Sequence, residues 1–399
     1  MMRLRWRAAL TLLLPLAGVV ATVPAVAAAP GALASSPIRI GVTRSEQGRQ
    51  QDASTLMHRG LALWTADLAE RGGLMNRAVE LVIRDDASQP ERAAAAYRAM
   101  FDDGVSLFVS PYSSDLTLAV QKELAGENYA MVSVASDPQI WQTADPRIFG
   151  LYTPATENML PALEIAQARG YQRIAIAHLD ARFPAAVARG AARDAARLGL
   201  TALPPVPYRE DGDYDALVQT LAGQQPDVVL VGSYLDDAVA FTQAAARHQL
   251  QASMMVFSGG PALRDYGQAV GLPATEGVLS TVQWMRSIRF PGAFDFGFRY
   301  REVHGLYPSY DAAGGYAALQ VIDAAARLAR SVEPDAIRER LRQMKFRSIL
   351  GHYRVDELGR QIAKDTYLVQ WQQGHISLVW PQNLARWDLR LPFQGFAAD

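Results

Sequence analysis

From residue 38 onward, short apolar runs alternate with longer stretches in which apolar residues recur every three or four positions. The runs at 38–43, 78–85, 105–110 and 129–134 read as strands, and the stretches at 54–71, 90–102 and 116–126 read as helices between them. The rhythm restarts after Thr153-Pro154. It predicts helices at 158–169, 184–198, 214–222 and 236–248, and strands at 173–178, 228–232, 254–258 and 277–281. Strands that alternate with helices in this way predict parallel α/β units. Glycines at 72, 73 and 104 fall where helices should end, and Pro90 falls in a first helical turn, so the local signals agree. Further helices are predicted at 292–304, 311–330 and 336–345, the last an Arg-rich solvated face. Alternating stretches at 365–372 and 375–380 about Gln373-Gly374 predict a β-hairpin. No repeat at solenoid spacing and no low-complexity linker interrupts the pattern, so two similar α/β halves facing one another are expected.

The N-terminus departs from this rhythm. Arg3, Arg5 and Arg7 precede an apolar run from Ala8 to about Ala29 with Ala-x-Ala at 25–27, the pattern of a cleaved secretory signal peptide over 1–29. The run is just long enough to span a membrane, but Pro15, Gly18 and Pro24 weaken a span and the alanine-rich end favours cleavage. Roughly 370 of the 399 residues then remain, which suits two domains. Loss of the three arginines takes the net charge from −1 to about −4, which offers nothing to a polyanion, so no nucleic-acid partner is expected. Cysteine is absent, which excludes disulfides, thiolate metal sites and a lipidated cysteine. The six histidines are scattered without metal-ligand spacing, so neither a metal nor a cofactor is expected. A Gram-negative periplasm fits these features best.

Candidate chemistry concentrates where two strands end. The run 106–110 gives way to Pro-Tyr-Ser-Ser-Asp at 111–115, and 130–134 to Ala-Ser-Asp-Pro at 135–138. In an open parallel sheet, ligands bind just beyond the carboxyl ends of the strands. These two ends offer hydroxyls and backbone groups, with neither a nucleophile–base pair nor a glycine cradle for phosphate. There is no Gly-x-Ser-x-Gly elbow and no phosphate loop. The chemistry on offer is hydrogen bonding, and the chain reads as a binder, not an enzyme. Ser113, Ser114 and Asp115 are equally suited to capping the helix that follows, and capping is compatible with gripping a carboxylate at a helix start.

An ordered set of segments resembles a known family: 38–43, 66–73, 79–86, 109–117, 133–138, 173–183, 227–234 and 307–320 ("YPSYDAAGGYAALQ"). Together they are similar to the type I periplasmic binding proteins of ABC importers, on the leucine/isoleucine/valine-binding branch. The resemblance implies two doubly wound parallel-sheet lobes joined by three crossovers, which close on a small ligand. Lobe 1 would be 37–152 plus 280–350, and lobe 2 153–279 plus 351–399. It implies ligand contacts at Ser114 with Ser113 beside it, at Val134 and Ser136, and at Phe183 and Tyr234 from the second lobe. Phe183 stands where the family has a tyrosine, and a core position is its alternative. Where branched-chain binders carry an ammonium-pairing glutamate, this chain has Gly259-Gly260-Pro261. Asp311 could restore that anion from the opposite lobe, or serve only as the N-cap of the helix at 312–330. Tyr112 and Trp284 could line the site or pack between lobes.

The expected function is therefore capture of a small carboxylate, of amino-acid or aromatic-acid type, for delivery to an ABC permease at the inner membrane, with the chain a monomer. The alternative is a ligand sensor that signals to a membrane or regulatory partner; an enzyme ranks third.

Overall fold

The computed structural model describes residues 36–143 and 146–396, so the signal peptide expected at 1–29 lies outside the described residues. The chain opens with β1 (Ile38–Arg44), α1 (Gln51–Glu70), β2 (Val79–Asp85), α2 (Pro90–Asp102), β3 (Leu107–Val109), α3 (Ser114–Glu123), β4 (Ala130–Ser133) and β5 (Ile148–Gly150). These strands form one parallel sheet in the order β2-β1-β3-β4-β5. Next come α4 (Leu160–Ala168), β6 (Arg173–Leu179), α5 (Arg182–Arg197), β7 (Thr201–Ala202), β8 (Val206–Tyr208), α6 (Tyr214–Gly223), β9 (Val228–Gly232), α7 (Leu235–Arg247) and β10 (Met254–Ser258). Two short helices, α8 (Arg264–Val270) and α9 (Leu272–Thr275), lead to β11 (Leu279–Val282). The second sheet has the order β7-β6-β9-β10-β11, the same winding as the first, with β8 continuing the edge beside β6.

Three long helices follow, α10 (Ala293–His304), α11 (Tyr310–Ala329) and α12 (Pro334–Gln343), then a small hairpin of β12 (Phe346–Ser348) and β13 (Gly351–Tyr353). The chain ends with β14 (Tyr367–Gln372) and β15 (His375–Trp380), which extend the second sheet antiparallel beyond β11. The turn between them carries φ of +54° at Gln373 and +73° at Gly374, the doubly left-handed geometry of a tight hairpin.

Both sheets are buried on two faces, which is why their strands read as continuous apolar runs. In the second sheet Ile174, Ile176, Val228 and Leu230 face α4 and α5, while Ala175, Ala177, Val229 and Val231 face α6 and α7. In the first, Ile38, Ile40 and Val42 join α1, α11 and α12 in one core, and Tyr97, Phe108 and Leu116 build the other. Residues from Trp284 to Val355 pack in that first core, so the chain passes between the two sheets three times. Two of these passages fall later than expected. β11 runs to Val282 because it pairs with β14, so the boundary expected at 279/280 moves past Val282. Tyr353 and Val355 still belong to the first core, which moves the boundary expected at 350/351 beyond Val355.

β5, β7, β8, β12 and β13 went unpredicted; runs of two or three residues show no period. No helix among the described residues is long and apolar enough to cross a membrane.

Candidate functional site

In each sheet the winding reverses beside its first strand, between β1 and β3 and between β6 and β9. Crevices of this kind outside the carboxyl strand ends are where open α/β sheets bind ligands. The loops beyond all four strands line one cleft. From the first half come Arg49 and Gln50 after β1, and Tyr112, Ser113 and Ser114 after β3. From the second come Phe183 after β6, and Ser233 and Tyr234 after β9. The cavity encloses about 110 Å³. An apolar cavity on the order of 150 Å³ holds a benzene-sized molecule, so the space is of small-molecule scale and on the tight side for one ring.

Six of the seven sequence-derived candidates, Ser113, Ser114, Val134, Ser136, Phe183 and Tyr234, lie in this lining. Ser113 is the N-cap of α3, its Oγ accepting the Leu116 N–H at 3.3 Å. Ser114 is the first helical residue, and its Oγ accepts the Asp137 N–H at 3.2 Å, which ties the β3 end to the β4 end. The Val134 N–H is fixed by Ser110 Oγ at 3.1 Å. The Ser136 carbonyl accepts the Ala155 N–H at 2.8 Å. Phe183 and Tyr234 form one wall, their ring centroids 5.8 Å apart. Tyr112, Tyr152 and Tyr310 supply three more rings to the lining. Trp284 is not in it; its ring packs against Phe296 in the first core.

Ser233 was missed by sequence reasoning. Its side chain is fully buried, lines the cleft, and its Oγ has no hydrogen-bond partner. A buried hydroxyl left unpaired is costly, so it is suited to a polar group brought in by a ligand. The signal was present, a hydroxyl at the end of the apolar run 228–232, as at the ends of β3 and β4.

Asp311 sits elsewhere. It is buried behind the lining and outside it, and its carboxylate accepts the hydroxyls of Tyr112 and, at 3.2 Å, Ser309. Nor is it the N-cap of the long helix. Ser309 holds that position, its Oγ accepting the Ala312 N–H, and Asp311 is in the first turn. The helix starts at Tyr310, one residue earlier than its apolar pattern suggested, because serine is the better-placed cap. Burial pushes the Asp311 carboxyl up to about 6. A carboxyl that is raised on folding contributes stability fully present below about pH 4 and lost as pH rises through about 6. Asp311→Asn keeps an acceptor for the Tyr112 hydroxyl and removes the titration. It is expected to raise stability at pH 7.5 by about 1–3 kcal/mol, to change little at pH 4, and to alter ligand affinity less than about threefold. Urea melts at the two pH values and calorimetry check this; an affinity loss above tenfold would restore Asp311 as a ligand anion.

Residues 37–375 match the periplasmic binding protein family. This chain belongs to that family. Its relatives lie on the leucine/isoleucine/valine-binding branch. The Leu/Ile/Val-binding protein homolog 7 of Brucella suis is 23% identical over 355 residues, covering 84% of this chain and 89% of that protein. The branched-chain amino acid transporter substrate binding protein LivJ from Streptococcus pneumoniae, solved in complex with isoleucine, superposes with a TM-score of 0.76 at 18% identity, over 87% of this chain and 100% of that one. The solute binding protein of an ABC transporter from Rhodopseudomonas palustris, solved with 3,4-dihydroxybenzoic acid, gives 0.73 at 15% identity, over 85% and 95%.

In this periplasmic binding protein, polar contacts cross the cleft mouth. Arg49 donates to Glu210 at 2.6 Å, joining the loop after β1 to the segment after β8. Arg182 at the start of α5 reaches Asp115 on α3 at 3.4 Å and Gln139 at 2.8 Å. The lining acids are largely engaged. Glu210 is held by Arg49, and Asp237 accepts the Tyr208 hydroxyl at 2.6 Å and the Tyr234 N–H at 2.8 Å. Burial raises the Asp237 carboxyl to about 6, and each of its two oxygens already accepts a hydrogen bond within the second half. Asp52 and Asp236 line the cleft from exposed positions in the first turns of α1 and α7. Gly259 and Gly260 line it after β10, where no carboxylate is available.

Proposed function

We propose that this protein captures a small carboxylate with an aromatic body and without a free α-amino group, and passes it to an ABC permease at the inner membrane. The observation that carries this reading is the lining itself. Five aromatic rings enclose the cleft, hydroxyls and the start of α3 offer donors to a carboxylate, and no buried acid is free to pair an ammonium. A desolvated ammonium without an anion is expensive, and the aromatic walls favour a flat apolar body. The solved neighbours named above hold isoleucine in one case and 3,4-dihydroxybenzoic acid in the other, so the fold does not choose between these classes; the lining must. Residues 1–29 act as the signal peptide, and the exported chain works as a monomer in the periplasm. The two halves, exchanging after Thr153, Val282 and Val355, move as lobes about the ligand.

Thermal shift of the exported chain tests the class. A ligand at 100 times its Kd adds about 2.7 kcal/mol of stability. Benzoates, with 3,4-dihydroxybenzoate first, are expected to raise the melting temperature while leucine, isoleucine and valine leave it unchanged. Stabilisation by leucine with none by aromatic acids would overturn the class.

The contacts across the mouth give a further expectation. Arg49 and Glu210 are both partly exposed, so their pair contributes at most about 1 kcal/mol to the joined state. Glu210→Gln should weaken ligand affinity by no more than about fivefold, and less at high salt. Calorimetry in 50 mM and 500 mM salt checks it. A loss that is larger, or indifferent to salt, would mean Glu210 touches the ligand.

A further inference from the structure

The three passages between the sheets meet at one residue, through its side chain and its main-chain carbonyl. Lys364 lies on the third, and its Nζ donates to the carbonyl of Gln283, on the second, and to the carbonyl of Leu350 at 3.1 Å. The first passage joins through Thr153, whose Oγ1 donates to the Lys364 carbonyl at 3.0 Å and whose N–H donates to Gln283 Oε1 at 3.1 Å. The amino group also stands 4.8 Å from the Tyr367 ring centroid. Lys364 is buried and makes no ion pair among the described residues, while Gln283 lines the cleft. A buried ammonium held only by carbonyls and a ring is an expensive choice for a purely structural position.

We propose that Lys364 is a hinge clasp: its buried amino group ties the second crossover to the β12–β13 turn, its main-chain carbonyl holds the first, and by gaining or losing its proton the amino group moves the balance between open and joined lobes. The inference rests on the two-lobe reading above. Its physical basis is that the two carbonyls around Nζ come from separate segments, the second crossover at Gln283 and the β12–β13 turn at Leu350, so rotation about the crossovers separates them and admits water. Burial pulls the Lys364 amine down to about 7 in the joined state, with the neighbouring Asp365 charge opposing the shift. Tyr367, the other titratable group against it, is pushed upward by burial and stays neutral. Solvation on opening restores a higher value. Between the two, joining the lobes releases a proton, so the joined state gains as pH rises. The gain is at most about tenfold in population per pH unit.

The absence of cysteine makes a direct test clean. Glu91→Cys on α2 and Gln219→Cys on α6 place spin labels at exposed sites, one on each lobe. Pulsed electron resonance on the ligand-free full chain should show the short-distance population growing from pH 6 to 9. Lys364→Met should abolish that response, and so should Lys364→Arg, which stays charged throughout and guards against a variant that fails to fold. An unresponsive parent, or an unchanged response in either variant, overturns the clasp. Titration with 3,4-dihydroxybenzoate and with leucine separates the two ideas. Ligand-driven shortening without a Lys364-dependent pH response overturns the clasp and leaves capture standing. The pH response without ligand-driven shortening supports the clasp and counts against capture.

Discussion

Gly60→Ala is expected to cost about 3 kcal/mol of folding stability. α1 and α11 cross backbone to backbone: a Cβ on Gly60 would lie 1.9 Å from the Ala312 carbonyl oxygen, and one on Gly315 would lie 2.1 Å from that of Met57. Neither obstacle is a flexible side-chain end, so the helices must part. Overpacking typically costs about 1–3 kcal/mol, and contact this short with backbone belongs at or beyond the upper end. Alanine returns about 1 kcal/mol through better helix propensity, which is already set against that figure. The cleft should suffer too, because Tyr310, in its lining, opens α11. Urea denaturation measures the stability loss. A cost below 1 kcal/mol would show that the two helices have slack.

The largest effect on binding is expected at Ser114. Its hydroxyl lines the cleft at the start of α3, where N–H groups lack intrahelical partners and the helix dipole favours an anion. If it holds the ligand's carboxylate, Ser114→Ala removes a charge-assisted bond and weakens binding by about 1.5–3 kcal/mol, roughly ten- to a hundredfold. Stability should also fall by about 1–3 kcal/mol, because the Asp137 N–H loses its acceptor. Ser113→Ala is the control. It removes the cap, worth about 1 kcal/mol of stability, and leaves the Ser114 hydroxyl in place. Calorimetry giving both variants the parent's affinity would remove the α3 start from the site.

These residues were legible because a strand end carries its own signal. An apolar run that stops at hydroxyls marks the carboxyl edge of a parallel sheet, and β3 and β4 both announced Ser113, Ser114 and Ser136 that way. The same cue stands at Ser233, the hydroxyl that follows the apolar run 228–232. Asp311 shows a different limit. Spacing placed it at the start of a helix, but which way its carboxylate points depends on Tyr112, nearly two hundred residues away, and no local pattern carries that. Lys364 is the clearest case. In sequence it is a charged residue in a polar connection between two strands, which reads as solvent-exposed. Its burial arises only because three separated segments converge on it. Arg49 likewise joins the cleft by topology, since the winding of the sheet brings the loop after β1 beside the one after β3. Local chemistry was readable; convergence of distant segments was not.

Solution scattering with and without a stabilising carboxylate tests the central claim most directly. A ligand gripped by residues from both halves favours the joined state by its differential affinity for the two states. The radius of gyration should therefore fall on saturation, by an amount that the Ser114→Ala protein reproduces only at higher ligand concentration. An identical scattering curve for the free and saturated protein, with a ligand whose tight binding calorimetry has established, would contradict capture by closure.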